Sequence, residues 1–430
     1  MHILLNKKNK THLTSRAILL FLIIINFVYF YLNLKININS SSYAFNELFI
    51  NYQAGLIRRG LLGEIFWIFN NAFSIEPITF FSYLFLLLYL AQIYLFYKLF
   101  EKYAVSNFIF ILIFLSPALT LFNIYDPNVF FLKDIFIKLS ILLHAYLLST
   151  FFKKKNNNVN NYFLALKFLI IPLLIVIILI HEYQVFFLGV HYLLSLSIIK
   201  NKKNILQITK IYLILLIPIL FVLVFIGDQI QYDNLNQILN KFNIELHPQL
   251  AGGFYHNIGA FYKWHFFYFS YRDFLNLFFS IILGLLLFYA IFHFFIEKKI
   301  LEFNSQYQKK YFIFFLPVLL AVIMTTDHGR NISLISFHLI AFYSILPFDL
   351  NKFHIFANKI NKIFLLKMLS ILFLFFYIFM WKLDQMAGFG LRGNPNDIFQ
   401  SSLFAEIIKF IKFSYEFINL NIINLPEIRL

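Results

Sequence analysis

Of 430 residues, 61% are hydrophobic and 13% charged, none is cysteine, and basic side chains outnumber acidic ones 36 to 20. So little charge cannot cover a soluble domain of this length, so the chain is expected to be an all-α, polytopic transmembrane helical bundle. The missing cysteines exclude disulfides, thiol catalysis and thiolate metal sites, and the net charge of +16 lies in short lysine clusters between apolar runs, which argues against nucleic acid as a partner.

A helix needs about 20 mostly apolar residues to cross a bilayer. Such runs fall near 17–34, 77–98, 104–124, 129–151, 163–180, 183–199, 209–227, 273–296, 311–326, 331–347 and 363–382. The first follows Lys7, Lys8, Lys10 and Arg16 and has no small-residue cleavage site, so a retained span is expected there rather than a removed leader. Every second connection is rich in lysine: the N-terminus, Lys98/Lys102, Lys153 to Lys155, Lys200 to Lys203, Lys298/Lys299 with Lys309/Lys310, and Lys352/Lys359/Lys362. By the positive-inside rule this alternation predicts about 11 spans, N-in and C-out. Residues 1–382 then form one transmembrane domain, and 383–430 an extracytoplasmic tail with an apolar helix at about 403–420. The expected location is a cell inner membrane, crossed many times, with the lipid bilayer as first partner.

The remaining connections fall outside, and they hold the unusual residues. The first outer loop, about 35–76, contains Glu47 and an amphipathic stretch, Gly55 to Asn70, expected to form a helix on the membrane. Its glycines at 55, 60 and 63 allow a tight turn or a close approach beside the Arg58-Arg59 pair. Next come Asp126-Pro127-Asn128, with Lys133, Asp134 and Lys138 early in the following span. His181-Glu182 joins two apolar helices with almost no loop, and ionisable groups at such depth are functional candidates. The long loop at 228–272 carries His247, His256, Trp264, His265 and Arg272. The last tight hairpin, Asp327-His328-Gly329-Arg330, offers a carboxylate, an imidazole and a guanidinium within four residues.

Arginine is the sharpest signal. Only seven of the 36 basic residues are arginine, and all but Arg16 fall outside, against the topology rule. Where any positive charge would serve, this chain uses lysine. Its arginines are therefore expected where a planar, bidentate fork is needed, as on phosphate or carboxylate. Pairing of Arg58 and Arg59 with Glu47, Glu64 or Asp273, and of Arg330 with Asp327, is the plainer alternative. No Walker motif, G-x-S-x-G or H-E-x-x-H is present.

Many helices, Glu47 in the first outer loop, and further carboxylates and basic residues at outer helix ends together resemble GT-C-type glycosyltransferases. The segment from Asn51 to Glu64 is also similar to one in bacterial multi-pass proteins of surface-polysaccharide synthesis, and the long outer loop resembles that of O-antigen polymerases and ligases. The resemblance implies transfer of a saccharide from a polyprenyl-phosphate- or diphosphate-linked donor to a glycan acceptor at the extracytoplasmic face. It makes Glu47 the central carboxylate, with Glu182 and Asp327 as further candidates to activate the acceptor or to hold a divalent cation. Arg58, Arg59, Lys133, His181, His328 and Arg330 are the candidate donor-binding residues. The alternatives are a lipid-linked oligosaccharide flippase or transporter, for which Lys138 and Lys167 are the mid-span charges, and a non-catalytic scaffold.

Overall fold

A computed structural model describes chiefly residues 14–31, 43–101, 107–125, 130–153, 159–197, 201–242, 277–295, 328–346 and 350–379, with two short pairs at 383–384 and 388–389. The described residues are mostly helical, joined by turns and loops, with an antiparallel pairing of Leu383–Asp384 with Gly388–Phe389. Five helices are long and apolar enough to cross a membrane: α4 (Pro77–Phe100), α7 (Asp134–Lys153, apolar through Phe151), α8 (Val159–Ile180), α10 (Lys202–Val224) and α12 (Leu277–Phe295). They mark a membrane protein. Shorter apolar helices are α1 (Thr14–Val28) and α9 (Gln184–Leu196). The remaining helices are α2 (Tyr43–Glu47), α3 (Leu61–Phe73), α5 (Asn107–Phe114), α6 (Phe122–Tyr125), α11 (Gln229–Leu239), α13 (His328–Ile345), α14 (Leu350–Lys362) and α15 (Phe364–Phe379).

The expected run at 104–124 is not one helix. It breaks after Phe114 because Pro117 has no N–H to continue the ladder, and Ser116 turns its hydroxyl back onto the Ala118 N–H at 3.2 Å. Leu119 and Leu121 close the turn on the Ser116 carbonyl, and the Ser116 hydroxyl meets Tyr377 of α15 at 2.9 Å. The expected run at 311–326 lies largely outside the described residues, as do the candidates of the loop beyond Phe242 and the apolar helix of the tail. The expected amphipathic stretch forms α3, which begins only at Leu61, after Gly60.

The helix α7 is the hub. It packs against α4, α8, α9 and α13. Over half of its span is buried, 56% against 22% for α10, whose Ile217, Leu220, Leu223 and Val224 stand exposed as a lipid-facing surface should. The helices α7 and α9 run away from one end of the bundle and α8 runs back to it, ending at His181. The starts of α7, α9 and α13 and the end of α8 therefore share one end. Phenylalanine fills the space between elements there, with Phe45, Phe49, Phe66, Phe81 and Phe131 in edge-on and tilted pairs.

The short α2 and its following turn lie under α3, and Gly63 permits it. A Cβ at Gly63 would stand 2.2 Å from the Ile50 carbonyl oxygen and 2.9 Å from that of Leu48, both of them backbone atoms. Gly63→Ala must therefore push α3 off the turn that carries Glu47. A loss of about 1–3 kcal/mol is expected, as for other overpacked sites. It should be read as a lower thermal midpoint in detergent, whereas truncation at a lipid-facing position, Leu220→Ala, should leave the midpoint nearly unchanged.

Candidate functional site

Seven charged side chains and one histidine, drawn from segments far apart in sequence, meet at this end of the bundle. Glu47 closes α2 and is buried. The chain then turns through Gly55, whose φ is +123°, and is pinned by Glu64, which accepts from the Tyr52 N–H at 3.0 Å and the Gln53 amide at 2.6 Å. Arg58 donates its backbone N–H to the Phe225 carbonyl at 2.7 Å, tying this loop to the end of α10. Arg59 follows in the left-handed region, at φ +67°, which a side chain adopts only at a cost of about 1–2 kcal/mol.

That strained backbone aims Arg59 inward. Its Nη1 donates to Glu47 Oε1 at 2.6 Å, and its Nε lies 2.7 Å from both carboxylate oxygens of Glu182, which Nη2 also reaches. One guanidinium thus joins the first loop to the α8–α9 hairpin. Arg58 stands beside it, its Nη1 3.8 Å from Glu182, with 22% of its side chain exposed. Lys133, fully buried, donates to the Arg59 carbonyl at 3.3 Å.

A second clamp lies alongside. Arg330, in the first turn of α13, makes a two-pronged pair with Asp134 at the start of α7, with Nε to Oδ2 and Nη2 to Oδ1 each 2.7 Å. Arg330 stacks over Tyr183, whose hydroxyl meets Asn331. His181 links the two clamps. Its Nε2 meets Arg330 and lies 3.3 Å from Asp134, and its Nδ1 is 3.7 Å from Glu182.

Burial disfavours ionisation of Glu47 and Glu182, but the opposing charges win. Arg59, with Lys133, His181 and Arg330 behind it, holds Glu47 below the usual carboxylate range, and Arg59 and His181 hold Glu182 well below it. Burial likewise disfavours the charged Arg59, yet its two carboxylates keep it firmly protonated. Four basic side chains face three carboxylates, so the cluster leans positive.

Of the residues singled out in sequence, Glu47, Arg58, Arg59, Lys133, His181, Glu182 and Arg330 are brought together. Asp327 lies outside the described residues, as does the side chain of His328, although His328 begins α13. The alternative partners expected for the arginines change. Arg59 takes Glu47 and also Glu182, and Arg330 takes Asp134. Asp134 is the residue that sequence reasoning underweighted, though a carboxylate opening an apolar helix was the available signal. Among the described residues no group of three or more His, Asp or Glu side chains is arranged to hold a metal ion, because each carboxylate here is engaged by an arginine. No known family, curated protein or solved structure matches the chain.

Glu182→Gln leaves Arg59 with half its compensation. Breaking a buried pair from one side costs about 3–5 kcal/mol, so a marked drop in thermal midpoint at neutral pH is expected. The pH dependence has a definite sign. A carboxylate with a depressed folded pKa stabilises fully above its ordinary value of 4.5 and loses that contribution as pH falls through the lower folded value. The gap between wild type and Glu182→Gln should therefore hold from neutral pH to about pH 4.5 and close only below it.

Proposed function

We propose that this protein is a membrane glycosyltransferase or polymerase of surface-glycan assembly, taking a saccharide from a polyprenyl-phosphate- or diphosphate-linked donor at the extracytoplasmic face. The reading includes about 11 spans in an N-in, C-out arrangement within an inner membrane, with the charged end outside. One observation carries it: basic and acidic side chains from the first loop, α7, the α8–α9 hairpin and α13 converge at one end of an apolar bundle, with the basic ones in excess. Charges dispersed around a rim would suit a scaffold better.

In such a transfer a phosphate becomes the leaving group, and nearby positive charge stabilises the transition state. Arg58, partly exposed beside the Arg59–Glu182 pair, is the residue best set to meet it, with Arg59 and Arg330 supplying the field behind. Glu47 is the carboxylate that the resemblance makes central. Buried and ion-paired, it is a weak base, so its part is to fix Arg59. Asp327, next in sequence to the start of α13, is the candidate to accept the acceptor hydroxyl's proton, whereas Glu182, held by Arg59 well below the usual carboxylate range, would first have to leave that pair. The described carboxylates do not fit a divalent cation, and no step is assigned to one.

A flippase or transporter is the second reading. It is favoured by Lys138, one turn below the charged end, and by His144, His191 and His338 deeper in, all buried inside the bundle. Lys167, the other mid-span charge, stands on the exposed face of α8 and offers no interior path.

Proteoliposomes supplied with a labelled polyprenyl-diphosphate-linked saccharide and a glycan acceptor test the transferase. Wild type should transfer label, and Arg58→Lys should lower the rate roughly tenfold or more with folding retained, since lysine lacks the bidentate fork. Transfer undiminished in both Arg58→Lys and Arg59→Lys would discard the diphosphate assignment. Movement of the donor between leaflets without transfer would favour the transporter.

A further inference from the structure

Below the charged cluster, α7, α8, α9 and α10 enclose a second set of polar side chains that the transfer chemistry does not use. These groups form a chain. Ser140 Oγ on α7 lies 3.2 Å from His191 Nε2 on α9. His191 Nδ1 lies 3.0 Å from His144 Nδ1 on α7. His144 Nε2 is 3.1 Å from the Tyr162 hydroxyl on α8, which donates to Ser195 Oγ on α9 at 2.7 Å. Ser195 Oγ is in turn 3.2 Å from the Tyr212 hydroxyl on α10. Ser140, His144, Tyr162, His191 and Ser195 are all fully shielded from solvent.

The contact between two Nδ1 atoms imposes a rule on the chain. Between neutral rings, one Nδ1 must carry the proton and the other must accept it, so the histidines hold opposite tautomers. With Tyr162 donating to Ser195, its oxygen accepts from His144 Nε2–H. His144 Nδ1 then accepts from His191 Nδ1–H, and His191 Nε2 accepts from the Ser140 hydroxyl when that hydroxyl turns from the Ile137 carbonyl, its other acceptor at 2.8 Å. Every member donates towards Ser195. Reversing each bond gives a second self-consistent pattern, in which every member donates towards Ser140.

We propose that this chain is a proton relay running from beneath the charged cluster towards the opposite end of the bundle. A proton arriving on Ser140 Oγ displaces that hydroxyl's own proton to His191 Nε2. The His191 Nδ1 proton passes to His144 Nδ1, the His144 Nε2 proton to the Tyr162 oxygen, the Tyr162 proton to Ser195 Oγ, and the Ser195 proton to Tyr212. Each O–H or N–H bond broken is replaced by one formed, and the proton gained at Ser140 is matched by the half-buried Tyr212 hydroxyl's own proton, which passes to water. The chain is left in its reversed pattern. The hydroxyls must then rotate and each imidazole must exchange its tautomer, His191 from Nε2–H back to Nδ1–H and His144 from Nδ1–H back to Nε2–H, before a second proton follows, so the relay passes protons singly rather than as a channel current.

Its position fits that task. From Gln184 to Ser195 along α9 the chain descends about 16 Å, roughly half of a 30 Å hydrocarbon core. At its upper end Ser140 also lies 3.4 Å from Gln184 Oε1, two residues beyond Glu182. Lys138, one turn below Asp134, and Gln184 each have a buried nitrogen with no hydrogen-bond partner among the described residues. These two stand between the cluster and Ser140. His338 of α13 flanks His191, with ring centroids 6.1 Å apart, but donates Nδ1–H to the Leu334 carbonyl at 2.7 Å and lies off the chain.

The experiment is proton flux into proteoliposomes of the full chain loaded with a pH-sensitive dye, driven by a potassium diffusion potential, with no lipid-linked donor present. Wild type should exceed protein-free vesicles. Tyr162→Phe keeps the ring and removes one link, and should lower the flux roughly tenfold or more, as loss of a positioned proton-transfer group does. Ser195→Ala breaks the next link and serves if Tyr162→Phe does not fold. His293→Phe, on α12 outside the chain, should conduct like wild type. Wild-type flux at the protein-free level overturns the proposal, as does undiminished flux in a folded Tyr162→Phe or Ser195→Ala protein. Loss of saccharide transfer with flux intact would strike the transferase reading alone.

Discussion

A guanidinium cannot give up its proton, so it must find a counter-charge wherever the chain buries it. Arg59 and Arg330 impose that requirement on almost everything at the charged end. Arg59 needs both Glu47 and Glu182, so the first loop must reach the α8–α9 hairpin. Arg330 needs Asp134, so the start of α13 must lie against the start of α7. The left-handed backbone at Arg59 and the bare backbone approach at Gly63 are tolerated because they deliver Glu47 and Arg59 to this pairing.

The arginines were legible from composition. In a chain that otherwise uses lysine for charge, Arg58, Arg59 and Arg330 stand out, and all three reach one cluster. Their partners were not legible. Glu182 is 123 residues from Arg59, and Asp134 is 196 from Arg330, so nothing local in sequence distinguishes them from carboxylates nearer at hand. The lengths of α4, α7, α8, α10 and α12 followed from hydropathy, which averages over many residues. The break at Ser116-Pro117 did not, because an apolar average passes over a missing N–H that changes the backbone's course.

The histidines of the interior were missed for a different reason. A single histidine in an apolar helix reads as a satisfied core residue. What separates His144 and His191 from that reading is a face rather than a residue. Ser140 and His144 are four apart on α7, and Gln184, His191 and Ser195 fall at intervals of seven and four on α9, which aligns each set on one side of its helix. Two such faces turned towards each other make a polar seam, and only their apposition shows it.

The two polar regions obey different physics. Fixed charges at the end of the bundle are largely buried but paired, each carboxylate with an arginine. Deeper, a fixed charge is costlier, and most of the polar groups there are neutral and hydrogen-bonded. Neutrality alone would be met equally well by asparagine or glutamine amides, which pair well but pass protons poorly. The interior chain uses hydroxyls and imidazoles at every link instead, groups that exchange donor for acceptor at one atom or across one ring. Lys138 is the exception, an ammonium held over the rings of Phe122 and Phe337 at 4.8 and 4.9 Å, between the clamps and the chain. In the proposed relay, a lysine in that place, whose described contacts are aromatic faces rather than carboxylate oxygens, can release a proton downward without breaking an ion pair above.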